Sequence, residues 1–173
     1  FPTRRSSDLA KTLLVVPASL IGNWQKEAAK FVPDMTIQVI HGKTSAQLAQ
    51  EFDAGAAFLT ITTYGMVSRI KAFQETMWDC VILDEAQAIK NPGTKQTREI
   101  KKLQAQMRIA MTGTPIENNL AEFWGLMRLI NPSIIEPYRS VSKDSTRLVD
   151  KIKRLTAPFL LRRMKRQRLQ FLL

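Results

Sequence analysis

Short runs of consecutive apolar residues constrain this chain more than any other feature. In Leu13-Leu14-Val15-Val16 and Val81-Ile82-Leu83 apolar side chains occupy neighbouring positions rather than alternate ones. Successive side chains of a strand point to opposite faces, so such a strand must be buried on both. That is the situation of a parallel sheet covered by helices. The strand candidates are 12–16, 36–40, 57–62, 80–83 and 108–111, with segments of helical period between them. The alternation predicts an α/β fold, a mostly parallel sheet with helices on both faces.

The helix candidates are 20–31, 45–52, 65–73, 94–105 and 120–130. The first carries an apolar stripe of Leu20, Trp24, Ala28 and Phe31 that stops ahead of Pro33, and core packing is the expected role of its tryptophan. In the last, Asn119 is placed to cap, Glu122 stands at the capping-box position and Asn131-Pro132 closes the helix. Its stripe of Leu120, Phe123, Trp124 and Met127 reads as core. Residues 1–11 begin without periodicity and read as a non-native or disordered leader, so that residues 12–132 form one lobe. Residues 133–157 form a polar connector with one helix at about 146–155, and 158–173 an exit segment.

A length of 173 residues suits one ordinary domain. The net charge of +11 is concentrated at one end: from Arg139 onward eleven Lys or Arg face two acids, leaving fifteen against thirteen in the first 138 residues. The body is nearly neutral, and the basic tail can be a solvated end or a contact surface. No apolar run approaches the ~18–20 residues of a membrane-spanning helix, and no signal-peptide pattern opens the chain, so no membrane partner and an intracellular setting are expected. Cys80, the single cysteine, lies within an apolar run and reads as a small buried hydrophobe. His41, the single histidine, sits at a strand end before Gly42 and reads as structural.

Chemistry concentrates at two strand ends. The run Val81-Ile82-Leu83 ends in Asp84-Glu85, at the carboxyl edge of a parallel sheet, where ligands of α/β folds bind. Nucleotide hydrolysis needs a carboxylate to hold Mg²⁺, commonly through water, and a group to orient or deprotonate the attacking water. The second run, Ile109-Ala110-Met111, ends in Thr112-Gly113-Thr114, two hydroxyls around a glycine that permits close backbone approach. Either end alone is compatible with an ordinary turn. Their recurrence 28 residues apart, with a helix between, points to one site.

These segments resemble the Swi/Snf family of helicase-like, DNA-dependent ATPases, the superfamily two translocases on double-stranded DNA. The resemblance rests on Leu13 to Trp24, on Thr62-Thr63-Tyr64, on Asp84-Glu85-Ala86-Gln87 with Ala88-Ile89-Lys90-Asn91, on Thr112-Gly113-Thr114-Pro115 with Ile116 to Leu120, and on Pro158 to Arg163. It implies a RecA-like lobe of a P-loop NTPase, with ATP and Mg²⁺ as ligands and duplex DNA and the parent's other domains as partners. It implies that Asp84 positions Mg²⁺ and Glu85 activates water. Gln87, Thr112, Gly113 and Thr114 would relay nucleotide state, Ser19, Asn23, Thr63 and Tyr64 would meet the DNA backbone, and Arg162 and Arg163 would brace the second lobe.

Two departures accompany the resemblance. Gln87 stands where many members carry His, a variant shared with bacterial relatives, and the stretch from Asn131 to Pro158 is short for the family. The phosphate-cradling glycine-rich loop that should precede Leu13 is not in the sequence, so the resemblance implies a first lobe cut at both ends, without the P-loop strand. Such a piece is expected to hydrolyse ATP negligibly and to leave a sheet edge open to association. A bacterial cytoplasmic setting is expected, or a nuclear one in a eukaryote. Two other readings stay open: a non-catalytic nucleic-acid-binding fragment, and a lobe of a DEAD-box-type RNA helicase.

Overall fold

Five parallel strands form one sheet: β1 (Thr12–Val16), β2 (Ile37–Ile40), β3 (Leu59–Thr63), β4 (Met77–Leu83) and β5 (Gln104–Ala110), in the order β2-β3-β1-β4-β5. The computed structural model describes residues 10–89, 91, 93–113, 120–131, 154, 157–159 and 161. Its helices are α1 (Ile21–Phe31), α2 (Ser45–Glu51), α3 (Tyr64–Val67), α4 (Ala72–Glu75), α5 (Lys95–Lys102) and α6 (Leu120–Ile130). The chain divides into two compact units, Phe1–Asn131 and Pro132–Leu173. In the second, Ala157–Phe159 form a 3-10 turn.

The consecutive apolar residues of β1 divide between two cores, as the absence of alternation requires. Leu13 and Val15 join Val81 and Leu83 on one face of the sheet, under Val67, Phe73, Ile100 and Leu126 from the helices. Leu14 and Val16 join Ile61 on the other face, against Ile21 and Trp24 of α1. All five residues of β1 are buried, as are all five of β3. Burial of a Leu or Val side chain contributes about 1.5–3 kcal/mol, so these two central strands anchor the lobe.

The strand register fixes the site. Val16 pairs with Thr63, Val15 with Leu83, and Leu83 with Ala110, so β1, β3, β4 and β5 end along one rim. Local signals set the helix starts. Thr44 and Gln47 form a reciprocal capping box ahead of α2, and the Thr94 hydroxyl accepts from the Thr97 amide ahead of α5.

Several boundaries differ from those expected from the sequence, the strand expected over 57–62 running Leu59–Thr63 among them. The helix expected over 65–73 is two short helices, α3 and α4, with the Ser68 hydroxyl bonded back to the Tyr64 carbonyl at 3.4 Å, a local competitor to the helical ladder. β4 starts at Met77 and β5 at Gln104, ahead of the apolar runs that mark them, because polar and exposed residues enter these strands as well. α5 therefore stops at Lys102. Phe31, assigned to the core stripe of α1, is 68% exposed, with the Lys30 ammonium 5.0 Å from its ring centre. The Asn119 cap, residues 1–9 of the leader expected over 1–11, and all but residue 154 of the helix expected over 146–155 lie outside the described residues. Among the described residues no helix is long and apolar enough to cross a membrane.

Candidate active site

β4 leaves the sheet at Leu83, and the next residue is held from every side. The Asp84 amide donates to the Val15 carbonyl at 2.9 Å, continuing the ladder onto β1, and the Asp84 carbonyl accepts from the Tyr64 hydroxyl at 2.7 Å. Of its carboxylate oxygens, Oδ1 accepts from the Glu85 amide at 2.9 Å and Oδ2 from the Trp24 indole N–H at 2.8 Å. All four polar atoms of Asp84 are therefore hydrogen-bonded. Groups from β1, α1 and α3 converge on one half-buried residue, and of these the Trp24 indole alone meets its carboxylate.

Glu85 adopts φ +50°, the one non-glycine residue with positive φ among those described. For a residue with a Cβ this left-handed backbone costs about 1–2 kcal/mol. It turns the chain off the end of β4 into a 3-10 turn, Ala86–Ile89, and returns it towards β5. There the Ala86 amide donates to Met111 O at 2.9 Å and the Met111 amide to Leu83 O at 2.8 Å. The two strand ends are thus stitched beyond the regular ladder.

A side-chain bridge crosses the same gap. Gln87 donates through Nε2 to Glu85 Oε2 and accepts through Oε1 from the Thr112 hydroxyl at 2.7 Å. An amide carries a donor and an acceptor at opposite corners, so this side chain can join a carboxylate to a hydroxyl in one span. The four residues Asp84, Glu85, Gln87 and Thr112 thus share one network. Gly113 follows, exposed on the rim, while Thr114, Arg162 and Arg163 lie outside the described residues.

The expected DNA-contacting residues separate into two pairs. Ser19, in the 3-10 turn Ala18–Leu20, and Asn23, in α1, are exposed. Thr63 and Tyr64, at the end of β3 and the start of α3, are instead buried, at 8% and 5% exposure. The Tyr64 hydroxyl is committed to the Asp84 carbonyl, and its ring joins the core beside β1. Burial, followed by the charges of Asp84 and Glu85, pushes its pKa well above the ordinary tyrosine value.

The bond from Trp24 to Asp84 was not legible from helical periodicity, which assigns that residue to the core. It does pack partly there, in the cluster of Leu14, Val16 and Ile61. Its N–H is the part that periodicity cannot place. Elsewhere, Cys80 is a buried free thiol whose pKa is raised by burial and by Asp79. His41 is exposed beside Gly42, whose φ of +85° makes the turn after β2.

A parallel α/β sheet that gathers carboxylates and a hydroxyl at the carboxyl ends of two adjacent strands is a RecA-like lobe. The chain belongs to the family of the SNF2-related domain, whose sequence profile it matches over residues 2–171. It is 34% identical over 166 residues to YwqA of Bacillus subtilis, an ATP-dependent helicase/translocase by name, covering 89% of this chain and 18% of that protein. It is 36% identical over 180 residues to the chromatin-remodeling ATPase INO80 of Gibberella zeae, covering 89% of this chain and 10% of the relative. The SWI2/SNF2 ATPase core of Sulfolobus solfataricus, solved in complex with double-stranded DNA, superposes with a TM-score of 0.79 at 32% identity, over 91% of this chain and 34% of that one. The chain thus spans less than a fifth of these two relatives and about a third of the solved core.

Proposed function

We propose that this chain is the first, nucleotide-facing lobe of an ATP-dependent translocase on double-stranded DNA. The observation that carries the reading is the bridge from Glu85 through Gln87 to Thr112, beside an Asp84 held at all four polar atoms. The likeness to an ATPase core solved with duplex DNA supports the choice of polymer. The setting is the compartment that holds the DNA, inside the cell.

The donor chemistry of the rim suits Mg²⁺ shared with a triphosphate. Among the described residues no three His, Cys, Asp or Glu side chains form a metal cluster, and Mg²⁺ in nucleotide sites uses one or two carboxylates beside phosphates and water. Each oxygen of Asp84 accepts one bond from the protein and retains a further lone pair. Asp84 would hold the ion through water. When bound, Mg²⁺ offsets the charge of the phosphate oxygens.

Glu85 takes the proton of the attacking water, its carboxylate oriented by the Gln87 amide. Thr112, with Gly113 and Thr114, senses the occupied site through that amide and passes the difference along β5. Ser19 and Asn23 grip DNA phosphates, which gives hold without reading sequence. Arg162 and Arg163 brace a second lobe, and closure and opening of the two lobes move the protein along the duplex. The chain by itself, with no glycine-rich phosphate loop in its sequence, turns over ATP negligibly.

Phosphate release by the full-length protein, with and without duplex DNA, tests the reading. Stimulation by duplex is expected. Stimulation by single-stranded RNA alone would replace the reading with an RNA helicase, and no turnover under any condition with a non-catalytic binding module.

A further inference from the structure

Asp84 Oδ2 points at α1, and the group that meets it is an indole N–H separated from it by 60 positions in sequence. Trp24 is half-buried: it packs against the apolar cluster of Leu14, Val16, Ile21, Leu59 and Ile61, and it lines an apolar cavity together with Ala28 and Met35. Packing on one side of the ring directs its N–H at Asp84 Oδ2, 2.8 Å away. Indole nitrogen is a donor only, so this bond to an acceptor has one possible sense. A carboxylate that accepts from a fixed donor loses rotation about its side-chain bonds. The same carboxylate is pinned at its other oxygen by the Glu85 amide, which leaves Trp24, among the described residues, as the side-chain donor that an exchange of residue can remove.

We propose, resting on the reading of Asp84 as the carboxylate that holds Mg²⁺, that Trp24 is a positioning residue: its indole N–H sets the direction of Asp84 Oδ2 and thereby the affinity of the site for Mg²⁺ with nucleotide. Groups that orient a metal-holding carboxylate typically carry about 10–100-fold in metal affinity or activity. Trp24→Phe keeps an aromatic ring against the cluster of Leu14, Val16 and Ile61 and deletes the donor with part of the indole. A residue that merely packed would tolerate this exchange without any change at the carboxylate.

The test uses the full-length protein. In Trp24→Phe the Mg²⁺ concentration giving half-maximal ATP turnover rises about tenfold, while kcat at saturating Mg²⁺ changes much less. An unchanged Mg²⁺ dependence, with Asp84→Asn inactive, overturns the proposal and leaves the reading of Asp84 standing. Full activity of Asp84→Asn overturns the reading itself. A second measurement needs neither nucleotide nor turnover: 5-fluorotryptophan is placed at position 24 alone and its ¹⁹F resonance is recorded with Asp84 and with Asp84→Asn. The resonance moves when the carboxylate becomes an amide, and an identical resonance in both proteins overturns the proposal.

Discussion

The Thr112 hydroxyl donates to Gln87 Oε1 at 2.7 Å, and through the other end of the same amide it is joined to Glu85. A hydroxyl at the end of β5 is thus one side chain away from the carboxylate that follows β4.

Because the three residues act as one span, breaking it twice should cost no more than breaking it once. Thr112→Val and Gln87→Met each lower the stimulation of turnover by duplex DNA in full-length protein, and the double variant falls no lower than the worse single one. Steady-state turnover with and without duplex measures this. Losses that multiply would show that the two side chains act independently.

The left-handed backbone of Glu85 predicts a divergence between stability and turnover. Glu85→Gly relieves about 1–2 kcal/mol of backbone cost and forfeits a side-chain hydrogen bond of similar size, so stability changes little, whereas turnover is lost. Glu85→Val, with a β-branched side chain in the same conformation, destabilises by more than about 1 kcal/mol. Urea unfolding of the two variants separates them, and equal stability would place the turn elsewhere.

Tyr64 predicts an alkaline limit. Its pKa is raised, first by burial and then by the charges of Asp84 and Glu85, so the folded state favours the protonated phenol. The contribution is complete below the ordinary tyrosine value of about 10 and is lost as pH rises through the raised folded value. Phenolate absorbance therefore shows one of the chain's two tyrosines resisting ionisation until unfolding, and Tyr64→Phe removes that signal. The same variant costs about 1–2 kcal/mol by leaving the Asp84 carbonyl without its partner. Ionisation of both tyrosines near pH ~10 in folded protein would contradict the burial.

Arg108 joins β5 to α6. Its guanidinium donates to the carbonyls of Leu129, at 2.9 Å, and Leu103, and burial lowers its pKa. A cation at the end of α6 also complements the helix dipole. Arg108→Met should destabilise by about 2 kcal/mol in urea unfolding, through loss of charge-assisted hydrogen bonds. A neutral effect would show that water replaces the guanidinium at no cost.

What the sequence discloses and what it conceals follow from the same physics. β1 and the end of β4 are apolar at successive positions because both faces of the central sheet are covered, and a run of that kind is visible without coordinates. β5 is an edge of this sheet, with Met107 at 53% and Ile109 at 39% exposure, so its first half carries polar residues and leaves no apolar signature. Asp84, Glu85 and Thr112 are legible because each directly follows a readable strand. Tyr64 and Trp24 are not, since motif position and periodicity give no direction for a hydroxyl or an indole N–H. Only the packing of α3 and α1 against the rim turns both towards Asp84.

The most direct test is the exchange of one oxygen for one nitrogen. Glu85→Gln in the full-length protein keeps the size of the side chain and removes its capacity to take a proton. Nucleotide binding measured by calorimetry should remain within a few-fold of wild type, while DNA-stimulated phosphate release falls by at least about 100-fold, the lower bound typical for loss of a general base. Phosphate release near the wild-type rate would show that Glu85 does not activate the water.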